Sequence, residues 1–325
     1  MRALLPLLLI VPAATGAAPA ADTPVAAGAI IRVSGSPADR PLIEALEAGY
    51  SAKVPGARFA NTLHGPESTL AGTYTGTADI AFMARELREP MERMAYQWAM
   101  LQSPLLVRYA MGGLTADRPA TQIGLFVNRA NPIAALSLAR IDAVLGAEHL
   151  RGAANARTWG DVGAAGGWKT RPIHLYGPAV ASTDALFLRR LVMKDSRKWN
   201  EAYREERSAD AALAAVSQDA EGIAFAPLSA RHDGLKLLSI APGDEEGVAV
   251  LPDAATIRDG RYPLVRSVSF VIAHDKDKPP AENLSDFAGY ILSPAGQDVV
   301  ALDGAYLPLA PDALADARHR LETAK

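Results

Sequence analysis

The 325-residue sequence contains no cysteine. This absence excludes thiol catalysis, cysteine-ligated zinc, disulfides and lipid attachment through cysteine. Positive charge is not in excess either, because charged residues make up 21% of the chain and the formal net charge is −3. Proteins that bind nucleic acids need a basic surface, so the composition argues against a DNA or RNA partner. Beyond the N-terminus, no run approaches the ~20 apolar residues that a transmembrane helix requires.

Several sequence motifs of enzymes and cofactor sites are also missing. The six histidines fall in no metal-ligand spacing, and neither a His-Glu-x-x-His motif nor a Gly-x-Ser-x-Gly motif occurs. The glycine-rich stretch GAAGGWK, at residues 163–169, lacks the spacing of a phosphate-binding loop. We therefore expect no metal, no cofactor and no enzymatic activity. A secreted hydrolase is the alternative from a different functional class.

The first residues have the pattern of a secretory signal peptide. Arg2 precedes an apolar run that extends from Ala3 to about Ala14, and small residues then end in Ala18-Pro19-Ala20. The run is too short to span a bilayer, and two prolines interrupt it. We predict a cleaved signal peptide over residues 1–22 and a mature protein in the periplasm or the medium. A chain without thiols suits an oxidising compartment.

The remaining chain is long enough for two domains of roughly 150 residues each. Short apolar strands alternate with helices whose apolar residues recur on one face, and this alternation restarts beyond Thr115. Such a pattern favours an α/β fold in which parallel strands point their carboxyl ends at a ligand crevice. Without a low-complexity linker between the two halves, we expect strands to cross between two lobes. The predicted strands cover residues 30–33, 58–63, 78–83, 121–128, 171–178, 222–228 and 262–274. A first helix is expected to include Leu42, Ile43, Leu46 and Tyr50, and another Leu136, Leu138, Ile141, Val144 and Leu145. Further helices are expected over about residues 67–74, 182–193, 283–292 and 295–302.

The stretch LHGPESTLAG, residues 63–72, lies between a predicted strand and a predicted helix. Gly65, Pro66 and Ser68 suit the start of a helix, whose first amides have no partner inside the helix and bind anions well. Glu67 places a carboxylate where such an anion would lie. The stretch predicts either a simple helix start or one wall of an anion site.

Seven segments, taken in order, resemble the phosphate-binding protein family of ABC importers. The resemblance extends from about Ile30 to Leu309 and therefore covers most of the predicted mature chain. The segments are Gly35-Ser36, Gly65-Pro66-Glu67-Ser68-Thr69, ADIAFMAREL (78–87), FVNRANPIAALSLARIDAVL (126–145), TWGDVG (158–163), YPLVRSVSF (262–270) and SPAGQDVVALDGAYLPL (293–309).

The resemblance implies a two-lobe type II periplasmic binding protein fold whose lobes are joined by two crossing strands. Lobe 1 would comprise residues 23–115 plus 263–325, and lobe 2 residues 116–262. The implied function is the capture of a small oxyanion, with phosphate as the first candidate, for an ABC permease by a monomeric receptor. The alternatives within the binding class are a receptor for another small ligand and a secreted phosphate scavenger without a transporter.

Carried over from the family, the ligand contacts would come from four loops. The implied binding residues are Ser34, Gly35, Ser36, Gly65, Glu67, Ser68, Thr69, Arg85, Ser182 and Thr183. Four positions depart from the family pattern, namely Ala38, Ala84, Pro178 and Asp184. These departures bear on the identity of the ligand rather than on the fold.

Each candidate also has a purely structural interpretation. Ser36 and Ser68 suit N-caps, while Glu67 and Asp184 fall in predicted first helical turns, where a carboxylate interacts favourably with the helix dipole. Arg85 follows a buried strand, so its guanidinium either grips an oxyanion through two hydrogen bonds or pairs with Glu86 or Glu89.

Overall fold

The computed structural model describes residues 30–230, 232–244 and 247–323. The predicted signal peptide, residues 1–22, lies outside these described residues. A search of the described helices found none with both the length and the apolar character needed to cross a bilayer.

The described residues form thirteen strands, which fall into two main sheets and one short pair. The strands are β1 (Ile31–Ser34), β2 (Phe59–Thr62), β3 (Ile80–Met83), β4 (Leu106–Met111), β5 (Ile123–Asn128), β6 (Ala135–Ser137), β7 (His174–Pro178), β8 (Tyr203–Glu206), β9 (Gly222–Pro227), β10 (Leu235–Leu237), β11 (Ser239–Ala241), β12 (Ser267–Ile272) and β13 (Leu307–Pro308).

Ten α-helices occur in the same described ranges, together with 3-10 turns at Pro37–Asp39, Trp159–Val162 and Gly166–Trp168. The helices are α1 (Arg40–Lys53), α2 (Thr69–Tyr74), α3 (Met91–Met100), α4 (Leu138–Leu145), α5 (Thr183–Leu191), α6 (Ala209–Gln218), α7 (Ala254–Arg258), α8 (Glu282–Ile291), α9 (Pro294–Asp303) and α10 (Pro311–Glu322).

The first sheet combines strands from both ends of the described chain. Its order is β13-β4-β12-β3-β1-β2, in which β1 is parallel to β2 and β3 while β12 is antiparallel to both β3 and β4. All four residues of β3 are buried, as expected for a central strand that is covered on both faces. The loops after β1, β2 and β3 therefore meet at one edge of this sheet.

The second sheet has the order β10-β5-β9-β7-β8. Strand β7 is parallel to β8 and β9, whereas β5 is antiparallel to its neighbours β9 and β10. Strands β6 and β11 form a separate, short parallel pair that belongs to neither main sheet. Helix α5 begins five residues after β7 ends and presents its N-terminus at the carboxyl edge of the second sheet.

Two segments of chain pass between the sheets: residues 112–122 lead from β4 to β5, and residues 263–266 lead into β12. Gln122 ties the two segments together, because its Nε2 donates to the carbonyls of Gly112 (3.0 Å) and Arg266 (3.1 Å) while its Oε1 accepts from the Arg266 amide (2.7 Å). Gln122 is completely buried. The two-lobe arrangement is built around this pair of segments, while the lobe limits at 115/116 and 262/263 stay predictions.

Some elements differ from the sequence prediction. Leu136 lies in β6 rather than in a helix, because Ser137 caps α4 by accepting from the Arg140 amide, so that the helix starts at Leu138. Helix α2 starts at Thr69 rather than at Glu67. Helices α3, α6, α7 and α10 were not predicted. In α3 only Tyr96 is buried, so its apolar residues do not mark a core face.

The Gln122 contacts give a test of the crossing segments. Replacing Gln122 by Ala leaves buried backbone groups of Gly112 and Arg266 without these partners, and each such group costs about 1–3 kcal/mol. We expect Gln122→Ala to lower the free energy of unfolding by roughly 2–4 kcal/mol in urea denaturation. The matched control is Gln218→Ala, at the exposed end of α6. A Gln122 variant as stable as this control would contradict the assigned role.

Candidate functional site

A polar cavity of about 380 Å³ lies where loops of the two sheets meet the first crossing segment. Its wall is formed by the loops after β1 and β2, by Arg85 after β3 and by the start of α5, as expected for a crevice at the carboxyl ends of strands. The lining residues are Ala38, Pro66, Arg85, Asp117, Arg118, Pro119, Thr183, Asp184 and Pro227. We call this space the cleft.

The predicted hydroxyl groups of the first two loops are engaged by the protein itself. The Ser34 hydroxyl donates to the Thr69 carbonyl at 2.8 Å, and the Thr69 hydroxyl donates to the Gly65 carbonyl at 2.9 Å. Ser36 caps the 3-10 turn by accepting from the Ala38 amide at 3.3 Å. The Gly65 amide donates to the Gly35 carbonyl at 3.2 Å, which holds the two loops side by side. These residues shape the cleft wall rather than line it.

Glu67 and Ser68 do not act as the predicted cap. Ser68 precedes α2 without a capping side-chain hydrogen bond, and its exposed hydroxyl donates back to the Gly65 carbonyl at 3.3 Å. The Glu67 carboxylate instead pairs with Arg88 at 2.6 Å and with Arg85 at 3.3 Å. The opposite charge of two guanidiniums outweighs the weaker attraction of a helix dipole here.

Arg85 is buried beside the cleft and is held chiefly by Glu92. Its guanidinium donates to both carboxylate oxygens of Glu92, at 2.6 and 2.9 Å, and to the Pro66 carbonyl at 3.2 Å. The partners considered from the sequence, Glu86 and Glu89, do not provide this carboxylate. Burial alone would raise the pKa of Glu92, but the hydrogen bonds from the Arg85 side chain and the Arg88 amide lower it overall. Arg85 therefore keeps only part of its donor capacity for a ligand.

A second buried guanidinium, that of Arg266, joins the two sides of the cleft. It makes a two-point pair with Glu86, at 2.9 and 3.2 Å, and a single bond of 2.8 Å with Asp184. The Arg266 side chain has no exposed surface. Asp184 lies in the first turn of α5, yet its carboxylate binds Arg266 instead of serving only the helix dipole as predicted. Burial raises the pKa of Asp184 despite the charge of Arg266.

Arg118 lines the cleft, and its guanidinium makes only long-range contacts with carboxylates. Its nitrogens lie 3.7 Å from the Asp39 carboxylate and 3.6 Å from that of Asp303, both beyond hydrogen-bond distance. The buried Nη1 atom has no hydrogen-bond partner. Asp39 itself accepts from the Tyr306 hydroxyl at 2.8 Å. Burial raises the pKa of Asp39 to about 6, against the opposing effects of Tyr306 and Arg118.

Of the two predicted binding residues in the fourth loop, one lines the cleft. Ser182 caps α5 by accepting from the Ala185 amide at 3.2 Å, while Thr183 lines the cleft. Of the ten predicted binding residues, Arg85 and Thr183 form its wall directly. Whether any of the ten contacts a ligand stays a prediction.

Sequence reasoning missed Arg118 and Arg266, and it considered Glu86 as a partner of Arg85 rather than of Arg266. Arg266 stands inside the YPLVRSVSF segment, so the family resemblance contained it, but nothing in the local pattern distinguishes a buried arginine from an exposed one. Arg118 precedes Pro119 between two predicted strands. A charged residue in a segment that crosses between lobes was the available signal for both arginines.

Within the described ranges, one group of side chains has donor atoms close enough for a metal ion: His174, Asp219 and Glu221. His174 Nδ1 lies 2.6 Å from the Asp219 carboxylate, and its Nε2 lies 3.9 Å from that of Glu221. The group sits at the amino ends of β7 and β9, opposite the edge that carries the cleft. All three residues are partly exposed.

Comparison with known proteins agrees with the fold. The sequence model of the PBP superfamily domain matches residues 13–295. A curated relative, the phosphate-binding protein PstS of Pseudomonas aeruginosa, is 29% identical over 237 residues, which cover 72% of this chain and 69% of the relative. The predicted resemblance to phosphate-binding proteins is thereby confirmed.

Solved structures show the same architecture at low sequence identity. PstS from Borrelia burgdorferi superposes with a TM-score of 0.60 at 15% identity, over 86% of this chain and 99% of its own. A putative phosphate ABC transporter substrate-binding protein from Clostridium perfringens, solved with bound phosphate, gives 0.52 at 18% identity, over 87% and 100%. The predicted type II periplasmic binding protein fold is confirmed.

The raised pKa of Asp39 predicts a pH-dependent stability. Because the folded state holds this proton up to about pH 6 while the unfolded chain loses it near pH 4, stability falls as pH rises across that interval. A shift of about two units corresponds to roughly 3 kcal/mol. We expect Asp39→Asn to match the parent at pH 4 and to exceed it by up to ~3 kcal/mol at pH 7, measured by urea denaturation. Asp298→Asn, on the exposed side of α9, is the control; parallel pH profiles for all three proteins would contradict the prediction.

Proposed function

The chain belongs to the PBP superfamily, and from this premise we propose that it is a non-enzymatic receptor that captures a small oxyanion between its two lobes, with phosphate as the first candidate. The observation that carries the proposal is the cleft itself, where Arg118 retains unused donor capacity opposite the N-terminus of α5. Guanidinium groups bind phosphate-like oxyanions through paired, charge-assisted hydrogen bonds. The relatives that are named as phosphate-binding proteins support the choice of first candidate.

In this proposal, the anion lies between Arg118 and the first turn of α5. Thr183 lines the cleft at that turn and offers a hydroxyl, and the helix N-terminus offers a favourable dipole. Arg85 contributes positive charge from the other side, although Glu92 uses most of its donors. Binding would draw the two lobes together, because a ligand shifts the equilibrium toward the conformation to which it binds better.

The proposal includes export and delivery. The predicted signal peptide would direct the protein to the periplasm or the medium, where it would present the anion to an ABC permease. We propose a monomer, and we keep the secreted scavenger without a transporter as the alternative. Deletion of neighbouring permease genes separates the two, because only a transporter-linked receptor would lose its contribution to phosphate uptake.

A first experiment tests anion binding and the hydrolase alternative together. Isothermal titration of the purified mature protein with phosphate and sulfate should give saturable binding of at least one anion. Incubation with phosphoesters should release no phosphate above the buffer blank. Turnover of an ester, with no anion binding, would replace the receptor proposal with the hydrolase.

Arg118 provides the most direct mutational test. We expect Arg118→Gln to weaken phosphate binding by roughly 1.5–3 kcal/mol, about 10- to 150-fold, because a charge-assisted donor pair is lost. Arg207→Gln, at an exposed position outside the cleft lining, should retain parental affinity. Titration calorimetry measures both. Equal affinities for the two variants would remove Arg118 from the site.

Asp184 should oppose the binding of a doubly charged anion. Its carboxylate lines the cleft and uses one hydrogen bond of Arg266, so Asp184→Asn removes a negative charge while Glu86 still pairs with Arg266. At an effective dielectric constant near 20, such a charge costs an anion in the cleft about 1–2 kcal/mol. We expect Asp184→Asn to bind phosphate about 5- to 30-fold more tightly at pH 8. Weaker binding would indicate that Asp184 accepts a proton from the ligand.

A further inference from the structure

A second cavity of about 550 Å³ adjoins the cleft and shares Arg85 and Thr183 with it as lining residues. One wall is the loop that follows β3, residues 85–91, and the opposite wall is helix α5 with the residues after it. The cavity therefore lies between the same two sheets as the cleft. We call it the side cavity.

Charged residues, among them Glu86, Arg88 and Glu89, line part of the side cavity. The rest of its wall consists of large apolar side chains, whereas the apolar residues of the cleft are Ala38 and three prolines. From the loop come Leu87, Pro90 and Met91, and from α5 come Leu186, Phe187 and Leu191. An inorganic oxyanion has no apolar surface to place against such walls. Pockets of roughly 300–1,000 Å³ with mainly apolar walls and a few polar groups are typical of sites for organic molecules.

Helix α5 presents a continuous face to this space. The lining positions 183, 186, 187, 190 and 191 follow the i, i+3, i+4, i+7, i+8 spacing of one side of a helix. In a helix that only supports the fold, such a face packs against the core. Here Leu186 and Leu191 are only half-buried and line the cavity. The face is available to a ligand.

Two cations at the rim have no carboxylate partner among the described residues. Arg190 donates to the Leu87 carbonyl across the cavity at 2.9 Å, and Arg197 lines the same wall. The neighbouring Arg189, by contrast, pairs with Asp195 at 2.7 Å. The side cavity thus combines apolar side chains with two arginines that make no carboxylate pair in the described residues, and Glu86 and Glu89 line it as well.

The small oxyanion site at the other end is sparsely supplied with free donors. The hydroxyls of Ser34, Ser68 and Thr69 donate to backbone carbonyls, and Arg266 is saturated by Glu86 and Asp184. A bare tetrahedral anion would find few groups to surround it. An anion that also fills the side cavity would gain the burial of apolar surface.

From these observations we infer that the ligand is an organic oxyanion, a phosphonate or phosphate monoester with an apolar substituent. Its head group would lie in the cleft near Arg118 and Thr183, and its substituent would lie in the side cavity against Leu186 and Phe187. This inference rests on the proposed function, since it assigns the substrate class of the same receptor. Arg190 would then add charge near the junction of the two spaces.

The test compares three anions by titration calorimetry: inorganic phosphate, methylphosphonate and phenylphosphonate. We expect phenylphosphonate to bind at least tenfold more tightly than the other two. Phenyl phosphate, run alongside, distinguishes a monoester from a phosphonate as the preferred head group, and tight binding of either supports the inference. Phosphate binding that equals or exceeds that of both phenyl compounds would overturn it while leaving the oxyanion receptor intact. Failure of every anion to bind would overturn both.

Variants of α5 test the placement of the substituent. Leu186→Asn should weaken phenylphosphonate binding at least fivefold and leave phosphate binding unchanged, because only the apolar contact is lost. Arg190→Gln, at an exposed position that does not threaten folding, should weaken phenylphosphonate binding measurably. Leu302→Asn, on the exposed side of α9, is the matched control and should behave as the parent. Equal losses for phosphate and phenylphosphonate in Leu186→Asn would contradict the assignment of the side cavity.

Discussion

The buried guanidinium of Arg266 imposes the constraint on which the rest of the site depends. Moving a cation into a protein interior costs several kcal/mol unless carboxylates pair with it closely. Glu86, from the loop after β3, and Asp184, from the start of α5, provide that compensation from opposite sides. Arg266 also bonds through its backbone to Gln122, so both crossing segments are fixed by the same residue. Arg266 therefore fixes the positions of the loop after β3 and the start of α5, which both bound the cleft, relative to each other.

Three arginines near the cleft differ in what they have left to offer a ligand. Glu92 and Glu67 occupy Arg85, and Glu86 and Asp184 occupy Arg266, whereas Arg118 faces its carboxylates only at long range. Internal carboxylates thus neutralise most of the positive charge that an incoming anion would meet. Selectivity would then come from the shape and polarity of the adjoining spaces more than from charge alone. The apolar side chains of α5 that line the side cavity would favour a ligand with an apolar part.

The sequence predicted what local periodicity and capping encode. Strands β1, β3 and β5 and helices α5, α8 and α9 were recognisable because their apolar residues repeat with the period of the element. The carboxylate partners of Arg266 could not be recognised from the sequence. Glu86 is 180 positions away, and no local pattern specifies which distant carboxylate pairs with a buried guanidinium. Glu67 and Asp184 were assigned to helix dipoles for the same reason. Helix α3 escaped prediction because tertiary packing buries only its Tyr96.

The central position of β12 in the first sheet has a consequence for how the protein reaches its native state. This strand hydrogen-bonds on one side to β3 and on the other to β4, both of which precede the entire second sheet in the chain. Until β12 has been synthesised, β3 and β4 lack the strand that joins them. Pairings between such distant segments raise the contact order and slow folding. A chain with this strand order cannot complete its first sheet until most of its 325 residues have been synthesised, so its N-terminal strands remain incompletely paired during most of its synthesis.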